Sequence, residues 1–352
     1  MKMGAGARPA ALGDTQAALA EGALSALWNP AGLGLLSAPE VSLTHNKWTE
    51  GVTDQRFVGA VPFKGAGALA LAYERLTVDD FLGFDAQGTP TGSVKSGDDV
   101  LTVAWGRNLA QGATGASGLT AGVAAKVISE KVAGVSASGF AADFGVMVRP
   151  WGAGAARNPW FRRSSLGAAV RNLGQGLKFD SQTAALPTEY VLGLGYSQPF
   201  SGDLLTTGAD LHQVTGEKTS ISFGAEYWLK GLLALRVGYR STDNTGAGLR
   251  AGAGFRLGKV TLDYAWSGLG ENLGAAHRLT LGFRFGEPTP APGLAADVYQ
   301  DFVERGKRHM GLKLYDRAIL DFNEALKINP ASAEVQQWLL ECGRLMEGGE
   351  PR

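Results

Sequence analysis

The sequence predicts an all-β transmembrane barrel of about fourteen antiparallel strands, followed by a small α-helical segment. Short segments between Val41 and Phe285 alternate apolar residues with small or charged ones, and alternate side chains of a strand face opposite sides. Only 19% of the 352 residues are charged, a low fraction for a soluble protein. No run of eighteen apolar residues occurs, so the sequence predicts no transmembrane helix. A membrane protein without such a helix must be a closed barrel, because every backbone group in lipid has to be hydrogen-bonded within the protein.

The alternation is clearest in the segment Leu249–Leu257. Its leucine, alanine and phenylalanine side chains fall on one face, and Arg250, Arg256 and two glycines fall on the other. This pattern is typical of a strand with lipid on one side and a polar lumen on the other. The net charge of zero argues against nucleic acid as a partner.

The N-terminal residues 1–40 are rich in small residues and show little alternation. A short helix is predicted over 12–27, ended by the phrase Trp28-Asn29-Pro30-Ala31 because proline stops helices. The first residues carry no apolar core of a signal peptide. Since a barrel needs a signal to reach an outer membrane, we expect that it was removed or lies upstream of Met1.

The alternation predicts the barrel over residues 41–286. Its fourteen strands are expected, in chain order, at 41–48, 55–61, 66–76, 99–107, 119–131, 138–148, 164–172, 189–197, 204–213, 220–228, 232–240, 248–257, 260–266 and 278–285. Most of these strands are close in length to the roughly 9–11 residues that a tilted strand needs to cross a bilayer.

The connections between these strands differ in length. Residues 62–65, 229–231 and 258–259 form short connections, whereas 77–98 and 173–188 form long ones at the opposite end. Outer-membrane barrels have short periplasmic turns and longer external loops. This pattern predicts that both termini lie in the periplasm of a bacterial envelope, with outer-membrane lipid around the strands.

Aromatic residues near strand ends are predicted on the apolar face, where amphipathic rings would meet lipid headgroups. Aromatic residues are also good strand formers in general, which is the alternative explanation. The set is Trp48, Tyr73, Trp105, Tyr190, Tyr196, Tyr227, Trp228, Tyr239, Tyr264, Trp266 and Phe285.

The pattern changes after residue 286. Residues 287–294 are predicted to form a proline-rich linker, and residues 295–348 are predicted to be helical. Six residues have tetratricopeptide spacing: Phe302, Gly306, Ala318, Phe322, Ala325 and Pro330. With Tyr315 between the two helices, they form a candidate partner-binding repeat. One such repeat is below the ~3 needed for independent stability, so we expect it to dock on the barrel or on a partner. A plain helical hairpin is the alternative.

Charged residues on the polar strand faces are the candidate lumen site. They are Arg236, Arg240, Arg250, Arg256, Arg284, Glu226 and Asp263. The arginines could form a wall that binds a carboxylate or an acidic lipid headgroup. Alternatively, they form ion pairs with the acidic residues or with the N-terminal segment, which we favour because barrel interiors commonly carry charge networks.

The sequence contains no convincing catalytic, cofactor or metal site. The four histidines are scattered without metal-ligand spacing, and the nucleophile motif Gly-x-Ser-x-Gly is missing. Cys342 is the only cysteine, which excludes a cysteine-cluster site. We therefore predict no enzyme, no cofactor and no bound metal.

Several phrases resemble one family of outer-membrane proteins. Residues 10–18 (AALGDTQAA) and 27–33 (LWNPAGL), 170–174 (VRNLG), 186–188 (LPT), 192–196 (LGLGY), 263–266 (DYAW) and 277–283 (HRLTLGF) resemble the PorV/PorQ family, relatives of the FadL hydrophobic-compound channels. The resemblance covers about residues 5–286. It implies a fourteen-stranded barrel whose residues 1–40 fold inward as a plug.

In this resemblance the phrase Asn29-Pro30-Ala31, preceded by Trp28, matches the plug motif of FadL-like channels. Trp28, Asn29 and Pro30 would then shape a ligand path or hold the plug by packing. The resemblance implies secretion-cargo handling or passage of hydrophobic molecules, with the helices as a periplasmic docking arm for a secretion-complex or other periplasmic protein. The alternative is a structural envelope anchor that recruits a partner and transports no cargo.

Overall fold

The computed structural model describes residues 4–49, 51–111, 117–149, 163–180, 182–200, 203–241, 248–270, 274–286, 292–328 and 332–346. The chain forms two compact units, one built on a β-barrel and one on C-terminal helices. None of the helices in these ranges combines the length and apolar character that a membrane crossing requires.

Fourteen antiparallel strands close into a barrel, which confirms the predicted fold class. They are β1 (Glu40–Lys47), β2 (Val52–Phe63), β3 (Gly67–Phe84), β4 (Pro90–Gln111), β5 (Ser117–Val132), β6 (Val135–Val148), β7 (Ser164–Gly174), β10 (Glu189–Phe200), β11 (Asp203–Val214), β12 (Ser220–Leu229), β13 (Leu233–Arg240), β14 (Leu249–Leu257), β15 (Val260–Gly270) and β16 (Gly274–Arg284). The short strands β8 (Leu177–Phe179) and β9 (Gln182–Ala184) form a separate hairpin.

Side chains alternate between the outside and the lumen along each strand. On β13 the side chains of Leu235, Val237 and Tyr239 are exposed, whereas Ala234 and Arg236 are buried. The prediction of Trp228 on the outer face is wrong, because its neighbour Tyr227 faces out and Trp228 is buried toward the lumen. Adjacent residues of a regular strand cannot share a face.

Two predicted loops contain more strand than expected. The stretch 77–98 is mostly a hairpin extension, since β3 continues to Phe84 and β4 begins at Pro90. This part carries no regular apolar face, so alternation gave no indication of strand there. The stretch 173–188 contains the β8–β9 hairpin, whose Leu177 packs against Val100 and Ile128.

The N-terminal residues 4–39, here called the hatch, are almost entirely buried. The helix predicted over 12–27 is wrong. The hatch instead contains α1 (Ala7–Ala11) and two 3₁₀ helices, Ala23–Leu27 and Pro30–Leu35. Gly13 and Asp14, with φ of 70° and 66°, end α1 because they adopt the left-handed conformation.

Glycines on nine successive strands, β4–β7 and β10–β14, face the hatch at close range. We call this set the glycine belt: Gly106, Gly122, Gly145, Gly167, Gly193, Gly208, Gly224, Gly238 and Gly252. A Cβ atom on Gly224 would lie 2.5 Å from the Leu12 carbonyl oxygen, and one on Gly252 would lie 2.5 Å from the Ala11 Cβ. The hatch therefore rests on the bare backbone of the wall.

The C-terminal unit contains three helices, α2 (Pro292–Gly311), α3 (Tyr315–Ile328) and α4 (Ala333–Met346). Because α2 begins at Pro292, the linker predicted over 287–294 is too long by three residues; proline is favoured at the first helical position. Phe322 is fully buried and stacks on Trp338 at 5.5 Å. A Cβ on Gly306 would lie 2.5 Å from the Phe322 ring. Pro330 lies outside the described residues.

Replacing a belt glycine should displace the hatch. We expect Gly224→Val to lower the free energy of unfolding by about 1–3 kcal/mol, the usual cost of overpacking, and to expose Arg8 to trypsin. Gly59→Val is the matched control, because a Cβ there meets nothing closer than Phe57 Cζ at 3.6 Å on the outer face. Equal rates of cleavage after Arg8 in both variants would show that the belt does not seat the hatch.

Candidate functional site

The interface between the hatch and the lumen wall holds most of the charged residues singled out in the sequence. The first cluster joins Arg8 of the hatch to three wall residues. Glu226 Oε2 accepts hydrogen bonds from Arg8 Nε at 2.9 Å and from Arg236 Nε at 2.6 Å. Arg236 Nη1 also donates to Asp263 Oδ1 at 2.7 Å. Three predicted residues thus come together around a hatch arginine.

A second cluster surrounds Asp14 of the hatch. Its Oδ2 accepts hydrogen bonds from Arg250 Nη1 at 2.7 Å and Arg240 Nη1 at 3.2 Å. Burial raises the pKa of the Asp14 carboxyl, but Arg250, Arg240 and Arg278 outweigh this effect and hold its pKa at about 2. Asp14 is therefore ionised at neutral pH and ties the hatch to β13 and β14.

Two further predicted arginines lie apart from these clusters. Arg284 Nη2 is 2.5 Å from Glu40 Oε1, and Glu40 Oε2 accepts a hydrogen bond from the hatch amide of Ala23 at 2.9 Å. The guanidinium of Arg256 lies over the Trp228 ring, 4.4 Å from its centroid. The structure therefore does not assemble all five arginines into one wall.

A chain of side-chain hydrogen bonds links β10, β11 and β12 to the hatch. Glu189 pairs with Arg171 and is 3.0 Å from His212 Nδ1. His212 Nε2 is 2.9 Å from Ser222 Oγ, which in turn is 3.0 Å from Thr15 Oγ1 of the hatch. The wall thus contacts the hatch through neutral groups as well as ions.

Asp210 of β11 contacts the hatch backbone directly. Its Oδ2 accepts hydrogen bonds from the amides of Gln16 at 2.6 Å and Ala17 at 2.8 Å. Both donors lie outside the helices of the hatch. The carboxylate therefore satisfies buried backbone groups that the hatch cannot pair internally.

The predicted plug motif lies at the centre of the hatch. Asn29 is fully buried, donates from Nδ2 to the Ala17 carbonyl at 2.6 Å and accepts from the Ala31 amide at 3.1 Å. This second bond caps the 3₁₀ helix that Pro30 begins, so Pro30 starts a helical turn here and does not end the helix predicted over 12–27. Trp28 Nε1 donates to the Ala5 carbonyl at 2.8 Å, folding the hatch onto itself.

The sequence did not single out four anchoring residues, Arg8, Asp14, Glu189 and His212. Strand alternation places Glu189 and His212 on the lumen face of their strands. Arg8 and Asp14 lie in a segment without periodicity, which gave no indication of their partners. Across the described ranges, no group of three His, Cys, Asp or Glu side chains is arranged to hold a metal ion.

Most of the candidate arginines face carboxylates within the protein. Arg236 contacts Glu226 and Asp263, and Arg240 and Arg250 contact Asp14. This geometry supports an ion-pair network that anchors the hatch more than a wall that binds external anions.

Removing the shared carboxylate should destabilise the hatch. Glu226→Gln leaves Arg8 and Arg236 buried with one carboxylate fewer, so we expect a loss of about 3 kcal/mol in the free energy of unfolding. The matched control is Asp80→Asn, since Asp80 forms an exposed pair with Lys95 at 3.8 Å and should change stability by less than about 1 kcal/mol. Urea titrations of both variants measure the difference; similar losses would contradict the anchoring role.

No protein-family model and no curated protein matches this sequence. Solved structures do match its fold. The toluene transporter TbuX of Ralstonia pickettii aligns with a TM-score of 0.57 and 16% identity, over 80% of this chain and 99% of that one. The toluene transporter TodX of Pseudomonas putida aligns with a TM-score of 0.58 and 13% identity, over 81% of this chain and 99% of that one. CymD, a monoaromatic hydrocarbon channel, aligns with a TM-score of 0.54 and 12% identity, over 81% of this chain and 98% of that one. The chain therefore shares the barrel fold of these transporters.

Proposed function

We propose that this protein is an outer-membrane channel of the FadL-like type, which passes hydrophobic molecules through a lumen that its hatch closes. The observation that carries the proposal is the buried hatch inside a closed barrel, seated on the glycine belt and held by non-covalent bonds. A barrel that served only as an anchor would not need a separate segment fitted so closely to its lumen.

The outer surface supports a membrane location. Large apolar side chains are exposed along the strands, for example Leu192 and Leu194 on β10 and Leu279 and Leu281 on β16. An exposed apolar band around a closed barrel is typical of outer-membrane proteins. The proteins TbuX and TodX, which have this fold, are toluene transporters, so a hydrophobic aromatic molecule is the class of cargo we propose.

The hatch contacts are suited to reversible movement. The belt offers bare wall backbone to the backbone and side chains of the hatch. The ion pairs of Arg8 and Asp14 are wall-to-hatch bonds that can break together. Passage of cargo would require these bonds to open. We propose that the hatch moves as the gate.

The ends of the barrel support periplasmic termini. Strands β1 and β16 pair directly, with Glu40 opposite Arg284. Arg284 donates its amide to the Lys259 carbonyl in the tight β14–β15 turn, so both ends lie at the rim that carries this short turn. Because short turns are periplasmic in outer-membrane barrels, we propose that the chain enters β1 and leaves β16 at the periplasmic end of the barrel.

For the C-terminal helices we propose a tetratricopeptide-like packing that binds a periplasmic protein. Ala318 and Ala325 are fully buried and Gly306 lies against Phe322, as small and aromatic residues do in that repeat. Leu320 and Leu340 are 66% and 75% exposed, which offers apolar surface to a partner. Secretion-cargo handling, as in the PorV/PorQ family, and a purely structural anchor both depend on such a partner.

Uptake by whole cells tests the channel and its gate together. Thr15 Oγ1 and Ser222 Oγ are 3.0 Å apart, so the double variant Thr15→Cys, Ser222→Cys, combined with Cys342→Ala, brings two sulfurs within reach of a disulfide. We expect cells that make the unmodified protein to take up radiolabelled toluene faster than cells with empty vector. The oxidised variant should lose this gain and recover it when a reductant is added.

Each single-cysteine variant is the matched control and should transport normally under oxidising conditions. Uptake equal to empty vector by the unmodified protein would overturn the channel proposal. Full uptake by the oxidised double variant, with the disulfide verified by mass spectrometry, would show that cargo passes without movement of the hatch at Thr15.

Removal of the helices separates transport from partner binding. A chain ending at residue 286 should keep toluene uptake, because the barrel and the hatch are complete without the helices. Crosslinking in the periplasm should capture a protein with the full chain and lose it with the shortened one or with Leu340→Asp. Loss of uptake in the shortened chain would contradict an independent docking arm.

A further inference from the structure

Arg278 on β16 is a buried cation without an ion-pair partner. Its side chain is 5% exposed, its Nη1 donates to the Gly6 carbonyl at 3.3 Å, and its Nε makes no hydrogen bond. In the part of the chain that the structure describes, no carboxylate oxygen lies within 4.0 Å of its guanidinium. An unpaired buried charge is strongly unfavourable, which sets Arg278 apart from the paired Arg236 and Arg250 of the same lumen.

The neighbouring charges do not neutralise Arg278. The charged groups that act on it most are Arg56, Arg250, Asp14 and Asp54. Their own bonds are already made: Arg56 pairs with Asp54 at 3.0 Å and with Glu74 at 3.2 Å, and Asp14 pairs with Arg240 and Arg250. Arg240 also pairs with Glu189, which Arg171 shares. With these two residues included, five guanidinium ions face four carboxylates, so one positive charge is left over at Arg278.

A second unpartnered polar side chain lies beside it. Asn46 on β1 is fully buried, and neither its Nδ2 nor its Oδ1 makes a hydrogen bond to any of the described residues. It stands directly opposite Arg278 on β16 and directly opposite Asp54 on β2. Such cross-strand neighbours have Cβ atoms about 5 Å apart. The Oδ2 atom of Asp54 is also buried without a hydrogen bond.

We propose that Arg278 and Asn46 form a buried binding site for one monovalent anion. The Nε–H of Arg278 and one N–H of Asn46 Nδ2 donate to the anion, while the second N–H of Asn46 is available to Asp54 Oδ2. A single negative charge balances the group, whereas a dianion would be repelled by the adjacent Asp54. The site is independent of the proposed transport and involves neither Glu226 nor Asp263.

A halide and the carboxylate of an organic acid share this chemistry, and they differ in size and source. Bromide is the direct probe. We expect crystals of the full chain grown in sodium bromide to show an anomalous peak between Arg278 Nε and Asn46 Nδ2. Soaking in sodium acetate should either leave this peak, which assigns the site to a free halide, or remove it, which assigns it to a carboxylate group.

In solution, bromide at constant ionic strength should raise the melting temperature of the protein. Arg278→Gln should weaken bromide binding by about tenfold or more, because it removes a charged donor. The control is Arg75→Gln on β3, whose exposed guanidinium lies 3.9 Å from Asp99 and whose loss should leave the bromide dependence unchanged.

If Arg278→Gln fails to fold, Asn46→Val tests the second donor and should also weaken the bromide dependence. The proposal is overturned if no anomalous peak occurs at this position in the unmodified protein. It is equally overturned if Arg278→Gln or Asn46→Val keeps the full bromide dependence.

Discussion

The close contact between the hatch and the glycine belt is the constraint on which the rest of the lumen depends. Consecutive belt residues such as Gly208, Gly224 and Gly238 lie directly opposite one another across neighbouring strands. A shift of one residue in any of these pairings would turn a glycine outward and a side chain inward. The register of the strands and the shape of the hatch therefore specify each other, and the pockets available to charged residues follow from that fit.

The ion pairs between the hatch and the wall determine where the hatch sits in the lumen more than they add to its stability. Burying Arg8 against Glu226, and Asp14 against Arg240 and Arg250, requires removal of water from charged groups, which offsets much of the attraction between them. Their net contribution to stability is smaller than their number suggests, but a displaced hatch would leave each charge unpaired. The network thus favours one placement of the hatch over its alternatives.

The barrel could be predicted from the sequence because the alternation of Leu249–Leu257 and its thirteen counterparts is a property of single strands. Trp228 was predicted on the wrong face because it follows Tyr227 at the end of β12. Two adjacent aromatic residues do not show by themselves which one faces outward. The hatch could not be predicted in detail, because its bends at Gly13 and Asp14 depend on wall carbonyls and arginines from distant strands. Glu226 and Asp263 could be found as lumen residues because they follow strand alternation. Arg8 and the position of Asn46 opposite Arg278 could not be found in this way, because they depend on contacts between distant segments.

The seam between the first and last strands has a consequence for the seating of the hatch. Thr280 of β16 bonds to Thr44 of β1 at 2.9 Å, and the same hydroxyl accepts the amide of Ala7 from the hatch at 2.8 Å. The hatch precedes β1 in the chain, whereas β16 is the last strand of the barrel. One hydroxyl therefore takes part both in closing the ring and in seating the hatch, so a ring closed between β1 and β16 also holds in place the acceptor for the Ala7 amide.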